Sequence, residues 1–340
     1  MVYDIDQLLK GAFYQEASDL HLSINSPPVY RIHGELIKVG ETLLTKEMTE
    51  TMAKHILDDQ WDLFDAAGDF DFAYEIDQIS RFRVNVFRQK EAISIAARVI
   101  GTTIPSIEQL GLPETIKQLT THPHGLILVT GPTGSGKTTT LASMIDYINQ
   151  RQKKHIITLE DPIEYFHSHG QSIIQQREVG VDTKQFSTGL RAALRQDPDI
   201  ILVGEMRDLE TIATAITAAE TGHLVLATLH TNSAAQTIHR IIDVFPPHQQ
   251  NQIRLQLASV LRAVISQRLF IKPDQNGRVV ATEILIGQPN VANLIRSEKI
   301  DQINNIIQTS KAVGMHSLQM SIKELLQKGL ITYEQSEPYL

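Results

Sequence analysis

Apolar and polar positions recur with two different periods along the chain, and the change of period divides it. Asp4 to Tyr14 places its apolar residues at helix spacing. Leu20, Leu22 and Ile24 alternate like a half-buried strand, Pro27-Pro28 interrupts, and Val29 to Ile37 resumes strand with Gly34 as a turn signal. Thr45 to Asp59 is predicted helical; Thr45 opens a capping box that Met48, standing where Glu or Gln would, leaves incomplete. In Asp69–Ile76 the side chains of Phe70, Phe72, Tyr74 and Ile76 alternate with Asp69, Asp71 and Glu75. In Arg81–Phe87 those of Phe82, Val84 and Val86 alternate with Arg81, Arg83 and Asn85, and a short turn through Asp77–Ser80 would join the two strands as an antiparallel hairpin. Residues 1–100 therefore predict a small α+β domain.

Residues 101–113 have the Gly, Thr and Pro composition of a linker, and 114–340 form a second domain. Beyond Gly125 four continuous apolar runs alternate with helical stretches, the sign of a parallel sheet built from βαβ units in an α/β domain. They are Leu126–Thr130, Ile156–Leu159, Ile200–Val203 and Leu224–Leu229. In such sheets ligands sit at the carboxyl ends of the strands. Each run ends in polar chemistry: a glycine loop, then Glu160-Asp161, then Gly204-Glu205, then His230.

Composition narrows the class. The chain has 340 residues, 42% hydrophobic and 21% charged, ordinary values for a globular protein. No run reaches the roughly 18 apolar residues of a membrane helix, and the acidic start Met1-Val2-Tyr3-Asp4-Ile5-Asp6 is unlike a signal peptide. The absence of cysteine excludes disulfides and thiolate metal sites, in keeping with the cytoplasm. The formal charge of −8 lies almost wholly in the first hundred residues, with 10 Lys+Arg against 17 Asp+Glu there and 21 against 22 beyond. A nucleic-acid partner calls for a basic stripe, and none is visible.

The glycine loop is Gly131-Pro132-Thr133-Gly134-Ser135-Gly136-Lys137-Thr138, between an apolar strand and a helix carrying Leu141, Ile145 and Ile148 on one face. That context is a phosphate-binding P-loop. Its glycines let backbone N–H groups turn inward around phosphates, and the following helix directs its positive end at the same anion. Lys137 would neutralise β/γ-phosphates and the Thr138 hydroxyl would ligate Mg²⁺. Gly131 to Thr138, with Thr139, are the expected nucleotide-binding positions. No Asn-Lys-x-Asp for guanine occurs, which favours ATP.

Asp199-Ile200-Ile201-Leu202-Val203-Gly204-Glu205 ends in a carboxylate that could hold Mg²⁺ through water or activate the attacking water; its other reading is a cap on the next helix. Glu160, Asp161 and Glu164 cluster where only a cation between acids is favourable, so Glu160 joins Thr138 and Glu205 as an expected metal-holding residue. His230 sits where a γ-phosphate sensor would, whereas His223 reads from spacing alone as an ordinary histidine. His122/His124 and His167/His169 lack a third ligand and read as surface loops. Arg191, Arg195 and Arg207 flank the acidic strand as candidate arginine fingers or as ordinary surface pairs. Arg81 and Arg83 read first as cross-strand partners of the acids opposite, second as arginines offered to a phosphate.

Taken together, Gly131–Thr138, the segment from Thr158 to Tyr165, Asp199–Asp208 and Thr221–Asn232 resemble the Walker A, Asp box, Walker B and His box of the secretion ATPase superfamily, in order and spacing. The likeness extends to Ala17–Leu22 and Ser80–Phe87. Within the superfamily the chain is similar to the type IV pilus retraction ATPases: it lacks the cysteine zinc motif of the assembly and type II secretion relatives and carries Val291-Ala292-Asn293-Leu294-Ile295-Arg296, similar to the retraction motif. It departs from that motif at Val291 and Ser297. The resemblance implies a PAS-like first domain, a RecA-like ATPase domain with C-terminal helices from about 289 to 340, and a homo-hexameric ring. It further implies work on a pilin fibre through an inner-membrane platform protein, at the cytoplasmic face of the membrane, with no nucleic acid and no metal but Mg²⁺. It raises His223 and His230 to functional status and assigns Arg81 and Arg83 to the nucleotide phosphates; with Glu160, Glu164, Glu205, Arg195 and Arg207 these are the expected catalytic residues. A pilus-assembly or secretion ATPase of the same superfamily, or a RecA-like nucleic-acid translocase, is the alternative.

Overall fold

The computed structural model describes residues 3–32, 34–77, 79–100, 103–275 and 277–340. Gln78 of the expected turn and Gly101-Thr102 of the expected linker lie outside them. Two compact units divide the chain, Met1–Thr103 and Ile104–Leu340.

The first unit runs α1 (Ile5–Tyr14), β1 (Asp19–Leu22), β2 (Val29–Ile32), β3 (Glu35–Lys38), α2 (Lys46–Leu57), α3 (Trp61–Ala67), β4 (Asp69–Ile76), β5 (Ser80–Gln89) and β6 (Ala92–Ile100). Its strands form one antiparallel sheet, ordered β3-β2-β1-β6-β5-β4. The Asp4 carboxylate accepts from Gln7 N (2.9 Å) and starts α1; Thr45 accepts from Met48 N (3.3 Å) and starts α2. Alternation does the rest: Phe82, Val84 and Val86 of β5 are buried with Leu9 and Ala12 of α1 and Met52 and Ala53 of α2. The β4–β5 hairpin has the register the alternation predicts, from Asp69 opposite Phe87 to Ile76 opposite Ser80.

The second unit opens with α4 (Thr115–Leu119), then β7 (Gly125–Thr130), α5 (Lys137–Asn149), β8 (His155–Glu160), β9 (Ile173–Glu178), α6 (Phe186–Ala193) and β10 (Ile200–Val203). It continues with α7 (Leu209–Glu220), β11 (Leu224–Leu229), α8 (Ala234–Asp243), α9 (Pro247–Val260), β12 (Leu261–Ile271) and β13 (Arg278–Ile286). The helices α10 (Pro289–Arg296), α11 (Ile303–Thr309), α12 (Leu318–Gln327) and α13 (Tyr333–Ser336) complete it. Among the described residues the sheet has seven strands, ordered β13-β12-β7-β11-β10-β8-β9, parallel throughout except β12–β13. Continuous apolar runs are what a sheet covered on both faces requires. Leu126 and Leu128 of β7 point into the core beneath α7, α8 and α9; Ile127 and Val129 point into the core beneath α4 and α5. Ile107 and Leu112, in the stretch whose composition reads as a linker, are buried in that second core with Ile116 and Leu119. Their apolar side chains cover the sheet, which a Gly/Pro count does not register.

Candidate nucleotide-binding site

The carboxyl ends of β7, β10 and β11 bring the site together. After Thr130 the chain turns at Gly131 (φ +145°), where a Cβ would press on the Gln267 carbonyl, and only glycine fits. Gly134 and Gly136 also hold positive φ, and α5 begins at Lys137 directly. Lys137 is buried; its Nζ donates to Gly131 O (3.0 Å) and Pro132 O (3.1 Å) and lies 3.4 Å from His230 Nδ1. Burial holds the Lys137 ammonium below the usual lysine pKa, against the pull of Glu205 and Glu164. The Ser135 hydroxyl is buried among the described residues without a partner. A cleft of about 500 Å³ opens along Gly134–Thr140, bordered by Glu164, Gln267 and Leu269. A glycine cradle, a buried cation and an orphaned hydroxyl suit a chain of phosphates.

Glu205 follows β10 and is the hub of the acidic side. Its Oε1 accepts from Arg207 Nε (2.6 Å) and lies 2.9 Å from His230 Nε2. A His230 that donates from Nε2 to the carboxylate keeps Nδ1 as an acceptor for Lys137, so one ring links the glycine loop to the acid. Two bonds fix the distance between the strand ends: Thr228 Oγ1 donates to Gly204 O (2.6 Å) and Met206 N to Thr228 O (3.1 Å). Asp208, not Glu205, caps α7, accepting from Thr211 N (2.8 Å). Glu160 is buried at the end of β8, where its Oε1 accepts from Thr158 Oγ1 (2.6 Å) and Gln176 Nε2 (3.1 Å). Burial lifts its pKa.

The family model of the type II/IV secretion system proteins matches residues 1–317. The chain belongs to that family. It is 48% identical to the "Type IV pilus retractation ATPase PilT" of Pseudomonas aeruginosa, over 97% of this chain and 96% of that protein. It is 44% identical to the "Twitching motility protein" of Neisseria gonorrhoeae, over 98% and 90%. Among solved structures, a pilus retraction motor PilT with bound ADP superposes with a TM-score of 0.92 at 46% identity, covering 98% of this chain and 96% of that one.

The remaining expected residues are spread over this secretion-family fold, Thr139 and Glu164 at the cleft and others away from it. His223 precedes β11 and so sits at the end of that strand away from His230; its Nδ1 lies 3.0 Å from Ala218 O. A parallel strand separates the two histidines along its whole length, so spacing in sequence does not bring them together. Arg195 donates to Arg191 O (3.0 Å), and Arg191 pairs with Glu210. Thr139 Oγ1 meets Tyr165 OH at 3.1 Å, and Glu164 borders the cleft. His167 is half-buried in the loop expected of it, and desolvation pushes its imidazole down to about 4. Arg81 of the first unit stands opposite Glu75 as expected, whereas Arg83 stands opposite Ala73 and lies 4.0 Å from Asp71 on the diagonal.

Gln267 is the site residue that sequence reasoning missed. From β12 it donates to Ser135 O (2.6 Å) and accepts from Thr140 Oγ1 (3.0 Å), clamping the loop from both sides. A lone glutamine inside a strand carries no motif, and only the pairing of β12 with β7 brings it there.

Proposed function

We propose that the chain is an ATP-hydrolysing motor that drives retraction of type IV pili, acting as a homo-hexameric ring at the cytoplasmic face of the membrane. In this reading it passes motion through a platform protein to the pilin fibre. What carries the reading is the continuous contact from Lys137 through His230 to Glu205, in a chain alike over nearly its whole length to the pilus-retraction relatives. No helix among the described residues is long and apolar enough to cross a membrane. Lys137 exchanges its two loop carbonyls for β/γ-phosphate oxygens, and the positive end of α5 faces the same charge. Mg²⁺, when bound, neutralises part of the phosphate charge; the Thr138 hydroxyl, with Glu205 reached through water, is the donor set this chain offers it. Glu205 takes the proton of the attacking water, and His230 holds that carboxylate in register with Lys137. Arg207 steadies Glu205, and Arg81 and Arg83 are assigned to the phosphates.

Nucleotide binding and single-turnover kinetics on two variants test this. Lys137→Ala should abolish ATP binding, whereas Glu205→Gln should bind ATP and hydrolyse it at least ~10²-fold more slowly. Near-normal turnover by Glu205→Gln would overturn the role of Glu205.

A further inference from the structure

Strand β12 runs beside the nucleotide site, and successive side chains leave it on opposite faces. On one face Gln267 clamps the glycine loop. On the other, the Ser266 hydroxyl lies 2.8 Å from that of Thr130, the last residue before that loop. Arg268 follows on the same face, and its Nη2 donates to Asn232 Oδ1 at 3.3 Å. Its guanidinium carbon lies over the ring of Tyr339, 5.1 Å from the centroid, in the short 3-10 helix Glu337–Tyr339. That ring stands edge-on to Phe270, the next residue on this face, at 5.7 Å. Arginine keeps its charge, and the half-buried Arg268 has its Nε shut away without a hydrogen-bond partner among the described residues. Desolvation of this kind strengthens the hold of an aromatic face on a cation. The ring and Asn232 together place the guanidinium.

Asn232 stands two residues beyond His230, whose ring reaches Lys137 and Glu205. The loop has its own bonds to α8: Thr231 Oγ1 lies 2.7 Å from Thr237 Oγ1, and Asn232 N donates to Gln236 Oε1 (3.3 Å). Those bonds let the loop move with α8. Arg268 adds a tie to β12, so two successive residues of one strand hold the glycine loop and the histidine loop in register.

We propose that Arg268 is a positioning residue for ATP hydrolysis: it holds the histidine loop through Asn232, and Tyr339 holds Arg268, so that the segment Glu337–Tyr339 sets the place of His230 against Glu205. This rests on the ATPase reading above.

Steady-state kinetics and amide hydrogen exchange on the full chain test it. Asn232 is exposed, so Asn232→Ala keeps the fold and removes the acceptor. Arg268→Lys keeps the charge and loses the planar fork that meets both ring and amide. Each should lower kcat about tenfold while KM for ATP stays within about twofold, as for a hydrogen bond felt only in the transition state. The two together should cost no more than either alone, because both break one contact. Tyr339→Phe should match wild type. Tyr339→Leu should lower kcat and speed exchange across residues 231–236, far along the chain from the substitution. Wild-type kcat in Asn232→Ala, or additive losses in the double variant, overturns the role of Arg268. Exchange in Tyr339→Leu that quickens only within residues 318–340 makes the ring a mere anchor for the last helices and overturns its link to the site. A wild-type chain that fails to hydrolyse ATP sinks the ATPase reading instead, and the exchange result still decides the tie.

Discussion

Glu160 holds its carboxyl group where charge is disfavoured, and its partners accept either form. Thr158 and Gln176 both donate to Oε1, an atom that glutamine also offers as an acceptor. Because burial raises the folded pKa above the unfolded value, the group contributes stability that is present at low pH and lost as pH rises through the folded pKa. Glu160→Gln should therefore unfold at higher denaturant than wild type at pH 8, with the gap closing as pH falls toward the ordinary glutamate value near ~4.3. Equilibrium denaturation over a pH series checks it. A variant less stable at pH 8 would mean that the folded protein stabilises the charge, as a metal-facing carboxylate requires. At this scale the site was legible wherever a residue sits in a motif at a strand end: Lys137, Glu205 and His230 are such residues. It was illegible at Gln267 and Ser266, whose roles arise from strand pairing across more than a hundred residues of chain.

Among the elements, β7, β8, β10 and β11 were readable because strands buried on both faces need unbroken apolar runs. The edge strands β9 and β13 and the strand β12 escaped. The helix α9 ends at Val260 and β12 begins at Leu261, with no glycine, proline or polar break to mark the change of period. Val291, Leu294 and Ile295 recur at helix spacing, yet α10 buries Val291 and Ile295 fully and leaves Leu294 half-buried at its rim. An eight-residue helix cannot stand alone, so this docking holds it in place. Glu298, just beyond it, adds an ion pair to the buried Arg254 of α9 at 2.9 Å. Ile295→Ala should cost about 2–5 kcal/mol and reduce ATPase and retraction together. Arg296 is exposed, and Arg296→Ala should leave folding and ATPase nearly intact while stopping retraction, giving cells with excess surface pili that do not move. Normal pilus number with normal twitching would remove α10 from the path of motion.

For the molecule as a whole the open matter is whether its arginines act within one subunit or on the next. Arg81 and Arg83 belong to the first unit and the glycine loop to the second. In the first unit Arg83 is paired with Asp71, at 4.0 Å between side chains that are 48% and 59% exposed. An exposed pair of that kind contributes roughly 0–1 kcal/mol, so losing it does not unfold a domain with its own core. The two roles of Arg83 can thus be separated. Asp71→Ala removes the pair and keeps the arginine; if Arg83 serves only the hairpin, Asp71→Ala and Arg83→Ala should have the same small effect on ATP turnover. If the arginines serve phosphates in a ring, Asp71→Ala should be nearly silent and Arg81→Ala/Arg83→Ala should be inactive. Mixing that double variant with Lys137→Ala protein, itself inactive, should then restore turnover, because a subunit with an intact glycine loop meets a neighbour with intact arginines. A mixture that stays inactive would confine the arginines to their own subunit.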